Sequence, residues 1–424
     1  MLRKVWRGLN ILKFGFSLFL IFNDQAFAAF SNYNSILIGE ESAGLGGAYT
    51  ALYGDASGAP YYNPAGLAWM HGNSFSSSVS IYKKFDTVMG KDEDLIKAPL
   101  RVNRGFFQSI PSSAGSVIRM GDYNIGLSIV VPDYDTFKGD ISTTSTNTAT
   151  LSFLDESLWV GGTLAKKISP NETAGLTLYY TARNYNRTVQ DRTVNESTSD
   201  ANLFSEEKSI TGNAVVAILG YQIHWTDQFY MGIALRTPSY EVAGAGSYFR
   251  NQISATSGTL NPPVNISKPM ISSSTRIPGK LTLGFGYTKD EWLISVDGSI
   301  YSAEKYFDFS DDNIRSKVEH ASMFNGAVGI QYTYKPWLIF RSGWFTNLTS
   351  HKKLDIADKY GDRVDQLGWA ANFTLISKEK IHFTFGGYYN IGRGKSIQRI
   401  DQNYDIIPKT QQVFTMLVAT SYYF

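Results

Sequence analysis

Cysteine is absent from the 424 residues, which excludes disulfide frameworks, thiolate nucleophiles and Cys-ligated metals. Charge is scarce: Asp, Glu, Lys and Arg make up 18% of the chain and cancel to +2. The basic residues are scattered rather than gathered into a stripe, so no nucleic-acid partner is expected. Beyond residue 28 no apolar run approaches the roughly 18 residues of a membrane helix. His71, His224, His320, His351 and His382 are dispersed, without His-Glu-x-x-His spacing; neither a metal nor any cofactor is expected. No Gly-x-Ser-x-Gly elbow occurs, and Gly44-Leu45-Gly46-Gly47 and Gly244-Ala245-Gly246 do not lie between the strand and helix of a βαβ unit. An enzyme is therefore not expected.

What the chain has in excess is aromatic rings: 26 Tyr, 26 Phe and 8 Trp, 14% of all residues. Broad rings pack well on a pleated surface and settle at membrane–water interfaces, so both properties point to strands in a membrane.

Residues 1–28 read as a signal peptide. Arg3, Lys4, Arg7 and Lys13 precede the apolar run 14–22, and Ala26-Phe27-Ala28 supplies small residues for cleavage after Ala28. The apolar run is about half as long as a spanning helix needs.

From Ser74 onward, segments of about ten residues alternate apolar with small or polar side chains, the period of a strand with two unlike faces. Trp292, Ile294, Val296 and Ile300 alternate with Ser295, Asp297 and Ser299. Ile381, Phe383 and Phe385 alternate with His382, Thr384 and Gly386. At the end of the chain, Phe414, Met416, Tyr422 and Phe424 fall on one face.

Short turns at 121–122, 169–173, 226–227, 289–290, 334–336 and 377–379 alternate with long connections at 84–111, 133–150, 188–207, 239–270, 308–318, 348–362 and 395–412. That asymmetry is typical of outer-membrane barrels, with short turns in the periplasm and long loops outside. Six turns and seven loops imply an all-β, transmembrane antiparallel barrel of about fourteen strands over residues 73–424, its C-terminus periplasmic.

Residues 29–72 do not alternate. They hold eight glycines, Pro60 and Pro64, small alanines and the anchors Leu45, Tyr49, Leu52, Tyr61 and Tyr62. A hatch, or plug, folded inside the barrel suits that mixture, and a periplasmic tail with turns is the alternative.

Within this segment, Ser42-Ala43-Gly44-Leu45-Gly46-Gly47-Ala48-Tyr49, Asp55-Ala56-Ser57 and Tyr62-Asn63-Pro64-Ala65-Gly66-Leu67 resemble the hatch of the FadL/TodX outer-membrane transport proteins. A similar pattern occurs in neighbouring barrels such as the PorV-type proteins that assist secretion. The positions that carry the resemblance most directly are Gly44, Leu45, Gly46, Gly47, Asn63, Pro64 and Ala65.

The resemblance implies uptake of long-chain fatty acids or aromatic hydrocarbons by pocket binding, hatch movement and lateral release through the wall. Burial is worth about 0.8 kcal/mol per methylene, which favours a path that avoids water. On this reading Ile36, Leu37 and Ile38 occupy the pocket before ligand does. Pro132, lacking a backbone donor, opens the ladder for a lateral exit or merely ends its strand. An outer groove is expected on the third and fourth loops around Leu203, Phe204 and Phe249. Strand parity puts Arg183, Arg187, Arg236 and Arg341 on the lumen face, where a cation would meet a ligand carboxylate.

The implied partners are a hydrophobic small molecule, outer-membrane lipid including lipopolysaccharide, and the barrel-assembly machinery during insertion. Oligomeric state is left open. The competing functions are a barrel that binds a partner or organises lipid, and a diffusion channel for polar solutes.

Overall fold

The computed structural model describes residues 32–33, 35–89, 108–144, 146–351, 353–356, 361–378 and 380–424. The expected signal peptide lies outside them, as does most of the first long connection. The first strands are β1 Ser74–Met89, β2 Gln108–Met120, β3 Tyr123–Thr143, β4 Asn147–Ser169, β5 Glu172–Asn195 and β6 Asp200–His224. Next come β7 Phe229–Arg236, β8 Tyr240–Thr256, β9 Thr259–Leu260, β10 Val264–Ser272, β11 Lys280–Lys289 and β12 Trp292–Tyr301. The rest are β13 Glu304–Phe307, β14 Lys317–His320, β15 Met323–Lys335, β16 Leu338–Asn347, β17 Gly361–Ile376, β18 Ile381–Ile400 and β19 Asn403–Tyr423.

The ring runs through fourteen antiparallel positions, β1 to β7, β11, β12 and β15 to β19, and β19 pairs back onto β1 from Ser74↔Tyr423 to Met89↔Lys409. β8 and β10 prolong β7 and β11 beyond a break, while β13 and β14 form a separate hairpin. All six expected turns join consecutive members of the ring.

Alternation explains the wall. On β4, Asp155, Ser157, Trp159, Thr163 and Ala165 are buried, whereas Leu158, Val160 and Leu164 between them are exposed. The same holds for Trp292, Ile294, Val296 and Ile300, for Phe383 and Phe385, and for Phe414, Met416 and Tyr422, all exposed. A soluble domain would not leave such a continuous apolar belt facing water; its partner is lipid.

The long connections at 133–150, 188–207 and 395–412 differ from the loops expected of them: most of their length continues the β3–β4, β5–β6 and β18–β19 hairpins. Beyond the apolar belt both faces of these hairpins carry polar residues, so alternation no longer marks them. Their ends lean together across the bore. Phe137, Ile141, Leu151, Val189, Phe204, Ile400 and Ile407 form one apolar cluster there. Asp191 accepts from the Gln402 backbone N–H at 2.8 Å, and Gln411 donates to Asp135 at 3.1 Å.

Candidate functional site

Residues 39–73 pack inside the turn end of the ring. They contain two short helical turns, Glu41–Gly44 and Ala59–Tyr62, and a 3-10 turn, Pro64–Trp69. Backbone without regular partners needs its polar groups met by side chains, and the wall supplies them. Asp297 on β12 accepts from the Tyr49 and Thr50 N–H groups at 3.0 and 2.9 Å. Gln222 donates to the Thr50 and Leu52 carbonyls, Thr177 to Pro60, and Asn124 to Leu67 and Met70.

Wall glycines let the hatch backbone come this close. A methyl at Gly115 would overlap the Ala56 carbonyl, at Gly232 that of Thr50, and at Gly343 that of Leu45; Gly175 and Gly220 are covered by Pro64 and Asn63. Asn63 itself bonds both ways, donating to the Thr50 carbonyl at 2.7 Å while capping the following turn by accepting from the Ala65 N–H at 3.1 Å. Gly46 and Gly47 adopt φ of +67° and +84°, which side chains disfavour.

Residues 32–38 leave this belt and run toward the long hairpins. The Tyr33 hydroxyl meets His320 Nδ1 at 2.6 Å, and Tyr33 stacks on Tyr301. Burial keeps the His320 ring neutral by pulling its pKa well below the ordinary range, so Nδ1 can accept that proton. Asn32 donates to the Asn347 and Val364 carbonyls at 2.7 and 2.9 Å. Ile36 and Ile38 enter a buried apolar cluster with Tyr61, Val130, Val131, Trp159, Tyr179, Ile218 and Ile277. Leu37 points elsewhere, toward Phe345, Tyr388 and Leu417.

This cluster abuts an interruption in the wall. The β2–β3 ladder ends at Ser113↔Val130, and the β3–β4 register slips between Val130 and Asp133. Pro132 sits in the slip, where it has no N–H to donate. The hatch thread takes over the vacated position: the Ile36 N–H donates to the Pro132 carbonyl at 3.2 Å, and Ser35 Oγ accepts from the Tyr134 N–H at 3.1 Å.

No family model and no curated protein matches this sequence. Solved structures do. The chain is similar to the CymD monoaromatic hydrocarbon channel (14% identity, TM-score 0.60, 92% of this chain and 99% of that one). It is also similar to the Ralstonia pickettii toluene transporter TbuX (14%, 0.61, 92% and 99%) and to a Pseudomonas aeruginosa FadL homologue (11%, 0.61, 94% and 99%). The chain has the FadL-type barrel fold. At such identity the likeness speaks for architecture, and function has to be argued from the site.

In this FadL-type barrel the four arginines expected on the lumen face are all buried. Three already have carboxylate partners. Arg183 forks onto Asp155 at 3.0 and 2.7 Å, Arg187 lies 3.7 Å from Glu206, and Arg341 is 3.1 Å from Glu41. Arg236 differs: it donates to the Pro278 carbonyl at 3.1 Å and lies over the Trp159 and Tyr301 rings, with no carboxylate paired to it among the described residues.

The residues expected to form an outer groove are not brought together. Phe204 is buried, with the Arg399 and Arg250 guanidiniums 4.0 and 5.2 Å from its ring centre, while Leu203 faces the opposite way and is exposed. Phe249, also exposed, pairs with Glu207, four residues further along β6 from Leu203. Two features of this region escaped the sequence reading. Asp297 was legible only as one inward acidic residue among serines, and Ile277 lies in a segment with no alternation to place it.

Proposed function

We propose that this barrel takes up hydrophobic compounds across the outer membrane, its long hairpins outside and its short turns in the periplasm, and that it belongs with the FadL/TodX transporters. The observation that carries this reading is the buried apolar cluster around Trp159 and Val130, which reaches the ladder interruption at Pro132 and is occupied by Ile36 and Ile38 of the hatch. Cargo entering the cluster displaces these two side chains, and with them the Ser35 and Ile36 bonds that stitch the interruption. Release then runs sideways into the membrane, along a path that keeps an apolar solute out of water.

The cargo that fits best is an amphipathic monoanion, its tail in the apolar cluster and its carboxylate against Arg236. A guanidinium resting on two aromatic faces is poorly hydrated and gains from an anionic partner. The structures of similar fold include a toluene transporter and a monoaromatic hydrocarbon channel, which supports a hydrophobic cargo. A bore packed with hatch and capped by converging hairpins argues against a diffusion channel for polar solutes.

The test is mass spectrometry of molecules retained by the purified barrel, with and without residues 36–38. Retained amphiphiles in the intact protein, in altered amount once the thread is shortened, are the expected result. An intact protein that retains no apolar molecule when offered fatty acids would overturn the proposal.

A further inference from the structure

Where the last strand closes onto the first, the turn end of the wall carries a recess. The turn between β17 and β18 and the end of β19 frame an open space of about 800 Å³, lined by Lys378, Lys380, Ile381, Tyr422, Tyr423 and Phe424. Tyr422 and Phe424 are exposed and stack with ring centres 5.5 Å apart, and Ile381 pairs with Tyr422 on the same outward face. The Tyr423 N–H donates to the Lys380 carbonyl at 3.2 Å, which ties the turn to the closing strand.

The rim of the recess is cationic. Lys378 and Lys380 are both exposed, and neither ammonium has a carboxylate partner among the described residues. Glu379 stands between them in sequence, so the turn keeps a surplus of one positive charge. The turns at 121–122, 169–173 and 226–227 each hold one acidic residue and no lysine. An anion approaching the turn end of the wall is therefore drawn to this turn rather than to those.

Cross-strand register carries the recess on into the apolar belt. The outward row next to Ile381↔Tyr422 reads Phe383, Thr420, Ser77, Ala114 and Ile129 across β18, β19, β1, β2 and β3. Phe383 and Ile129 are bulky and exposed, whereas the three residues between them are small. In the row beyond, Phe385 again stands beside a shorter side chain, Val418. Outward side chains in successive rows lie only about 7 Å apart along a strand, so Tyr422, which lines the recess, is the immediate neighbour of Thr420. Recess and depression form one furrow along the seam, walled by Phe383 and Phe385.

We infer that this furrow holds one anionic phospholipid of the periplasmic leaflet, its phosphate at Lys378 and Lys380 and an acyl chain laid along Thr420 and Ser77. The inference rests on the orientation proposed above, with the short turns in the periplasm, and is independent of what the barrel carries. Lysines at a membrane surface attract anionic lipid, and Tyr422 and Phe424 suit the headgroup level, where aromatic rings settle. The acyl chain fills the depression that the small residues leave in the belt. Lysines serving solubility alone would need no apolar recess beneath them. Unpaired cations at the rim and a depression in register above them match the two halves of one amphiphile. Lipopolysaccharide, though phosphorylated, lies in the opposite leaflet on this orientation.

The test is native mass spectrometry of the intact barrel in micelles, titrated with phosphatidylglycerol or with phosphatidylethanolamine of the same acyl chains. One phosphatidylglycerol should bind about tenfold more tightly than phosphatidylethanolamine. The double variant Lys378→Gln/Lys380→Gln should lose that preference, and Lys335→Gln, on another turn, should keep it. Thr420→Trp, which fills the furrow, should weaken both lipids together. Heat-modifiability shows that each variant still forms a barrel. Equal retention of the two lipids by the unaltered protein, or an undiminished preference in the double variant, would overturn the inference. Preferential binding of lipid A, lost with the same two lysines, would overturn the assignment to the periplasmic leaflet. Fatty-acid retention is read separately, so the uptake reading stands or falls on its own test.

Discussion

Between residues 44 and 70 the hatch lies against wall glycines on several strands, and its backbone is met by Asp297, Gln222, Thr177 and Asn124. Between residues 32 and 38 it presses on no wall glycine; its side chains instead bond to His320 beneath the long hairpins and to the gap at Pro132. The first region has no room to move without stranding buried polar groups, each costing about 1–3 kcal/mol. The second is held by single bonds spread over Asn32, Tyr33, Ser35, Ile36 and Ile38 and by the apolar packing of Ile36 and Ile38. The contrast separates a tightly fitted segment from a lightly held thread, and on the uptake function proposed above any movement belongs to the thread.

The strongest way to break the contrast is to crowd the fixed part. Gly343→Val puts a branched side chain where the Leu45 carbonyl already sits. The expected outcome is loss of about 3 kcal/mol or more, read as a collapse in yield of heat-modifiable, protease-resistant barrel. Normal stability would mean that the hatch can shift as a body.

A smaller effect is expected at Glu40, which anchors the fixed part to the last strand. Ser421 Oγ donates to its carboxyl at 2.6 Å, and Asn372 donates to its backbone carbonyl at 2.7 Å. Burial first, and then the neighbouring Asp55, push this carboxyl up to about 8. A carboxyl raised in the folded state contributes stability that is fully present below the ordinary range near 4.5 and is lost as pH climbs through about 8. Unfolding midpoints in micelles should therefore fall between pH 5 and 8, by an equivalent of ~1–3 kcal/mol. In Glu40→Gln that slope should flatten, and an unchanged slope would show that another group is responsible.

The smallest effect is expected in the thread. Tyr33→Phe removes the hydroxyl that meets His320 and keeps the ring on Tyr301, at a cost of about 1 kcal/mol. Hydrogen exchange should quicken at residues 33–38 and remain slow at 49–52. Uniform acceleration would join the two regions into one unit.

Much of this architecture was legible in the chain because lipid imposes a period of two. Trp292 to Ile300 and Phe383 to Phe385 could be placed outward from their spacing, and short polar runs, three of them with Gly121, Pro170 or Pro336, marked the turns. Nothing comparable marks the outer hairpins, where polar residues fall on both faces and the inward apolar side chains such as Phe137, Leu151 and Phe204 are interspersed among them, so 133–150 and 188–207 passed for loops. The site was harder still. Parity places Arg183 and Arg236 alike on the inner face, yet only cross-strand register shows that Asp155 stands beside the first and aromatic rings beside the second. Ile277 joins Val130 across strands far apart in sequence, a meeting that no local pattern records.

One further consequence belongs to the seam between β1 and β19, where Asn73 and Phe424 exchange backbone hydrogen bonds at 3.1 and 3.0 Å. The two edges that clasp there are made hundreds of residues apart, and Ser421 of the closing edge grips Glu40. The closing edge and the N-terminal segment are thus tied to each other, so loosening the last strand is expected to loosen the surroundings of Glu40 as well.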